Sequence, residues 1–170
     1  MSRVHLLLGV ILAAGLLQPV TPAWAEPTPV PGAANPYPEL RYFTETDAAP
    51  YNLSTVPGAS LPDQPGYWFT TAQGLNCGIW FRGSFGCDGV IPGAATDVRR
   101  IGWITGDTRV HYDWTLATRY PSGRRGGATI APLSFIDVEG TRCATTNDLS
   151  TYCVRGPARF LVTATHTWMN

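Results

Sequence analysis

Four cysteines are the residues in this chain best placed to do chemistry: Cys77, Cys87, Cys143 and Cys153. Each pair is ten positions apart. A zinc site draws its sulfurs from close pairs such as C-x2-C, because one turn must aim both at a single ion. A dithiol redox motif needs C-x-x-C. Neither spacing occurs here, so the expectation is no metal and no cofactor. The alternative is a pair of disulfides, for which four cysteines allow three connectivities. Phe69, Gly74, Cys77, Ser84 and Cys87 recur 66 residues later as Phe135, Gly140, Cys143, Ser150 and Cys153. This doubled frame favours Cys77–Cys87 and Cys143–Cys153, each closing its own hairpin. Facing non-hydrogen-bonded residues of a hairpin have Cα atoms about 4.5 Å apart, within reach of a bridge.

Other chemistry is thinner. After residue 25 the histidines are His111 and His166. His111 and Asp113, two apart on a strand, would share one face. They form the residues of a weak catalytic alternative, a His–Asp dyad for hydrolysis. The plainer reading is a surface pair. His166, in Thr165-His166-Thr167-Trp168, reads as a solvated tail residue. Ser84 lies in Gly83-Ser84-Phe85-Gly86, which lacks the strand-to-helix elbow of a serine nucleophile, and reads as a turn residue. Arg124 and Arg125 sit among Gly and Ser in a loop that could meet an anionic group. Gly78-Ile79-Trp80-Phe81 is the better lead. Strand alternation sends neighbours to opposite faces, so one of Trp80 and Phe81 is a candidate exposed aromatic for stacking or protein contact. Trp80, Phe81, Arg124 and Arg125 are therefore the candidate binding residues.

The elements that must position these groups are strands. Val110 to Tyr120 alternates apolar and polar positions, the period of a half-buried antiparallel strand with Trp114 facing inward. Further strands are expected over Tyr67–Thr71, Asn76–Phe81, Arg100–Thr105, Leu133–Val138, Arg142–Thr146, Thr151–Arg155 and Arg159–Thr163. Short strands separated by Gly, Pro, Asn and Asp predict an all-β fold, a small antiparallel sandwich or barrel with two disulfide-stapled hairpins. No amphipathic helix is expected after residue 25.

The N-terminal end reads as a secretory signal over residues 1–25. Arg3 precedes an apolar run from Leu6 to Leu17, and Ala23-Trp24-Ala25 has the small-x-small form of a cleavage site. Residues 26–65 are proline-rich, with 26–36 an extended tether. Tyr37, Leu40, Tyr42, Phe43, Tyr51 and Leu53 are candidates to anchor the rest of that segment on the domain, which is expected over 66–170. Asn52-Leu53-Ser54 spells a glycosylation acceptor. Twelve basic and twelve acidic residues leave no net charge, which argues against a nucleic-acid partner. No membrane span is expected once the signal is removed.

The segments Tyr67-Trp68-Phe69-Thr70-Thr71, Gly74-Leu75-Asn76-Cys77, Gly140-Thr141-Arg142-Cys143-Ala144-Thr145-Thr146 and Phe160-Leu161-Val162-Thr163 resemble small secreted proteins of unknown function from mycobacteria and related actinobacteria. The resemblance spans about residues 66–170. It implies export and disulfides and carries no catalytic residue. The expected function is a non-catalytic binding module acting on an envelope component or a protein, at the cell envelope or outside the cell. The alternatives are a secreted inhibitor or effector that docks a protein, and a hydrolase using His111 and Asp113.

Overall fold

The computed structural model describes residues 35–53, 65–112 and 128–170. Eleven strands are formed among them, and helix is limited to three single 3-10 turns. The fold is all-β, as the alternation and turn chemistry predict. The strands are β1 (Thr44–Glu45), β2 (Asn52–Leu53), β3 (Gly66–Thr70), β4 (Asn76–Trp80), β5 (Ser84–Asp88), β6 (Arg100–Trp103), β7 (Ser134–Val138), β8 (Thr141–Thr145), β9 (Thr151–Arg155), β10 (Ala158–Val162) and β11 (Thr167–Met169). They make two sheets. One runs β2-β3-β4-β5-β6, and the other β7-β8-β9-β10-β11 with β1 added beside β7. Each sheet is thus an antiparallel meander in chain order, and among the described strands only the β1–β7 pairing is parallel.

The sheets face each other across one core. Phe69, Ile79, Phe85 and Ile101 from the first sheet meet Ile136, Val138, Phe160 and Val162 from the second. The Phe85 and Phe160 rings lie 5.6 Å apart between centroids. Both disulfides, Cys77–Cys87 and Cys143–Cys153, sit in this core with no exposed surface. In each the cysteines are directly opposite across a hairpin, with Cα atoms 4.1 Å apart. The connectivity favoured by the doubled frame is the one formed.

The two stapled units share strand order but not loops. The turn between β3 and β4 has five residues, Thr71 to Leu75, whereas that between β7 and β8 is only Glu139-Gly140. The five-residue loop reappears after the Cys143 strand, as Thr146 to Ser150. In both copies the threonine N–H donates to the carbonyl of the fifth residue (3.0 and 2.9 Å). Its hydroxyl accepts the fifth residue's N–H (3.1 and 2.9 Å). The fourth residue takes a left-handed conformation, Gly74 at φ +78° and Leu149 at φ +66°. The two loops meet at one end of the sandwich, where Gln73 Nε2 donates to the Leu149 carbonyl at 2.6 Å.

The outer faces differ instructively. On the second sheet, register places Phe135, Ala144, Tyr152, Leu161 and Trp168 in one row across five strands. Tyr37, Leu40 and Phe43 pack over the first four of these, while Arg159 lies 4.3 Å from the Tyr37 ring centre. These residues belong to the compact unit Asn35–Asn170. On the first sheet the matching row is Trp68, Gly78, Gly86 and Gly102. Here the side chains are missing so that two indoles can lie flat. Trp68 and Trp80 stack with planes 3° apart and centroids 5.8 Å apart, and both are buried. A Cβ on Gly78 would fall 2.4 Å from Trp68 Cε3.

Candidate functional site

The turn between β4 and β5 presents the most exposed aromatic of the stapled hairpins. Phe81, Arg82 and Gly83 make it, with Arg82 at φ 55°, ψ 34° and Gly83 at φ 71°. Two successive left-handed residues reverse the chain with the twist a hairpin requires. Position 83 also lacks room, since a Cβ there would meet the Arg155 guanidinium at 2.1 Å. The turn is fixed at its carbonyls. Thr105 Oγ1 donates to the Arg82 oxygen at 2.9 Å, and Thr141 Oγ1 donates to the Gly83 oxygen at 2.6 Å. Arg155 Nη1 donates to the Glu139 carbonyl and, at 3.2 Å, bonds Thr141 Oγ1. It thereby ties this turn to the β7–β8 turn of the other sheet.

Phe81 leaves the strand at this point and is 61% exposed, whereas Trp80 is 4% exposed. Of the pair, Phe81 is the exposed ring and Trp80 the packed one. Its indole is directed to the outer face, but Trp68, Leu53 and Ile104 occupy that face with it. The Arg82 guanidinium stands 5.0 Å from the centre of the Phe81 ring. Beside the turn is an open cleft of about 250 Å³, lined by Asn52, Tyr67, Trp80, Phe81, Val138 and Glu139 among others. That volume is near the small end for ligand pockets, roughly 300–1,000 Å³. Its walls are apolar and aromatic, with one amide and one carboxylate at the rim.

Among the described residues, His111 is paired with Asp107. Its Nε2 is 2.7 Å from Asp107 Oδ2, which also accepts the Ile104 N–H at 3.2 Å. Asp113 lies outside the described residues, as do Trp114, Arg124 and Arg125. The dyad arises because the chain turns at Ile104–Asp107 and comes back so that His111 bridges Gly102. The signal in the sequence was Thr105-Gly106-Asp107, a turn that brings positions four apart together. Both side chains are partly exposed. Ser84 is buried and commits its hydroxyl to Thr105, accepting that residue's N–H at 3.0 Å and lying 3.2 Å from its Oγ1. Among the described residues, no group of three or more His, Cys, Asp or Glu could hold a metal ion.

His166 is exposed, as its position near the end suggests, but it belongs to the turn that starts β11. Thr163 Oγ1 accepts the His166 N–H at 3.0 Å, and the imidazole lies 5.7 Å from the Trp168 ring. No protein-family model, curated protein or solved structure matches this chain. The function must therefore be argued from the geometry. Among the described residues no helix is long and apolar enough to cross a membrane, and two disulfides are compatible with an oxidising compartment.

Proposed function

We propose that the protein is an exported binding module, acting without catalysis at the cell envelope or outside the cell, with the cleft beside Phe81 as its contact surface. The observation that carries this reading is the Phe81 turn. A large ring is held exposed on a backbone whose two left-handed residues are anchored by Thr105, Thr141 and, through Thr141, Arg155. The Cys77–Cys87 bridge closes the same hairpin. Pre-ordering of this kind lowers the entropic cost of binding, which otherwise consumes much of the gain from apolar contact. Aromatic anchors at such positions carry a large share of interface energy.

Export is supported by the apolar run Leu6–Leu17 with Ala23-Trp24-Ala25 behind it and by the paired cysteines. The same protruding turn favours a second reading, a secreted inhibitor or effector that inserts Phe81 into a protein pocket. The experiment compares the chain from Glu26 with its Phe81→Ala variant, each immobilised and exposed to envelope fractions and to secreted protein. Phe81 is exposed, so the variant should melt within about 0.5 kcal/mol of the parent. Retention of the bound component should fall at least about tenfold, equivalent to about 1.4 kcal/mol. Protease-sensitive bound material selects the inhibitor reading, and glycan or lipid selects the envelope reading. Equal retention by both chains would overturn the assignment of this surface.

A further inference from the structure

At the opposite end of the sandwich lies a second cleft, of about 290 Å³, independent of the Phe81 surface. Pro36, Pro38, Leu161 and Trp168 form its apolar wall, and Asp148 stands at its rim. The wall is the open end of the apolar row on the second sheet. Tyr37, Leu40 and Phe43 cover Phe135, Tyr152 and Leu161, and Trp168, the next residue in register, remains 38% exposed. The indole is held by β11 pairing with β10 and by the Thr163–His166 turn, in which Thr163 Oγ1 donates to the His166 carbonyl at 3.0 Å. His166 leans on the indole with planes 28° apart, and among the described residues no second large aromatic ring lines the cleft.

Asp148 is equally fixed. Its Oδ1 accepts from the Thr146 hydroxyl and, at 3.4 Å, from the Ser150 N–H, while its Oδ2 accepts from the Ser150 hydroxyl at 2.9 Å. These hydrogen bonds, the Thr146 one first, hold its carboxyl below the ordinary carboxylate range, so at neutral pH it only accepts. A carboxylate offers about four acceptor positions, which leaves Oδ2 one for a ligand. The hydroxyl protons of Thr146 and Ser150 are already given to Asp148, so these groups too can only accept from a ligand. The cleft therefore asks for a ligand with a flat apolar face for a single indole and hydroxyl donors at its edge. A pyranose ring has both, C–H groups on its face and hydroxyls around its rim. A quaternary cation is better served by several aromatic walls, and a proline-rich peptide has no donors to offer where proline replaces its N–H.

We propose that this cleft is a saccharide-binding site in which a pyranose ring stacks on Trp168 and donates a hydroxyl hydrogen bond to Asp148. The test uses the chain from Glu26 and saturation-transfer NMR with titration calorimetry. The probes are neutral trisaccharides of glucose, mannose and galactose, with tetramethylammonium and the peptide Pro-Thr-Pro-Val-Pro as the competing chemistries. At least one trisaccharide should bind saturably at millimolar concentration. Trp168→Ala should abolish that binding and Trp168→Tyr should retain part of it. Asp148→Asn should weaken it about tenfold, and Phe81→Ala should leave it unchanged. Near-UV circular dichroism on each variant checks that the fold is intact. Absence of saturable binding by every trisaccharide would overturn the proposal. So would binding indifferent to Trp168, or preference for the cation or the peptide.

Discussion

Gly78 sits where the first sheet has its tightest outer packing, and Gly78→Ala measures what that packing is worth. Its φ is not in the left-handed region, so alanine meets no backbone penalty. The difficulty is space alone. The new Cβ would lie 2.4 Å from Cε3 and 2.6 Å from Cζ3 of Trp68. Carbon atoms rest at about 3.5–4.0 Å, so the indole must shift by about 1 Å or leave. Trp68 is fully buried and stacked on Trp80, and a rigid bicyclic ring cannot bend out of the way. If it shifts within its seat, the cost is that of overpacking, about 1–3 kcal/mol. If it is expelled, the cost approaches that of deleting a buried Trp, about 3–5 kcal/mol. Against either stands a gain of about 0.4–1 kcal/mol from the stiffer unfolded chain. Net destabilisation should therefore fall between about 1 and 4 kcal/mol, measured by urea unfolding. The decisive control is the same change in a Trp68→Ala background. There the clash is gone, and Gly78→Ala should be neutral or stabilising by up to about 1 kcal/mol. Equal losses in both backgrounds would show that the glycine serves the backbone and not the indole.

Three further outcomes follow from the same packing. Both disulfides are fully buried, so reductant without denaturant should release no free thiol. After reduction under denaturant, stability should fall by about 2.8 kcal/mol per bridge, from the loop each closes; rapid reduction of the native protein, read by thiol titration, would count against the fold. His111→Ala should cost less than about 1 kcal/mol by thermal melting, because its pair with Asp107 is partly exposed. Loss of a hydrolytic activity in that folded variant would restore the enzyme reading. Burial raises the phenol pKa values of Tyr37 and Tyr152, partly countered by Arg159. Their neutral forms therefore favour folding below the ordinary value of 10.0, and that contribution is lost as pH rises through their raised values. Tyrosinate absorbance from these two should then rise together with loss of near-UV dichroism, and Tyr37→Phe should move the transition to higher pH.

Seven of the strands, β3, β4 and β6 to β10, and the disulfide pairing were legible because both rest on local rules, while the strand expected over Val110 to Tyr120 lies outside the described residues beyond Tyr112. Period-two alternation marks one face, and a ten-residue cysteine spacing fits a short hairpin. Phe81 was legible only as half of a choice. Alternation shows that neighbours diverge, but which of them meets solvent depended on Trp68 arriving from β3 to cover Trp80. The glycine row was hidden for the same reason. Gly78, Gly86 and Gly102 are far apart in the chain and become one row only through register. Asp107 was missed because the strand period draws attention to Asp113, whereas a turn over residues 104–107 brings Asp107 back onto His111. Trp168 and Asp148 come from separate elements, and neither carries a local pattern that points to the other.

Packing also explains why both candidate surfaces lie at the ends. A sandwich buries one face of each sheet and ordinarily gives the other to water. Here the outer faces are claimed as well, by the Trp68–Trp80 stack on one sheet and by Tyr37, Leu40 and Phe43 on the other. The candidate recognition side chains lie toward the two ends, Phe81 and Glu139 in turns at one, and Asp148 in a turn beside Trp168 of edge strand β11 at the other. Turns are ordinarily the mobile parts of a β domain. These are held from across the sandwich, by Thr141 on the Gly83 carbonyl at one end and by Gln73 on the Leu149 carbonyl at the other. Each hydrogen bond joins the two sheets. Loosening one, as in Thr141→Val, should disturb the Phe81 cleft while leaving the Trp168 cleft intact.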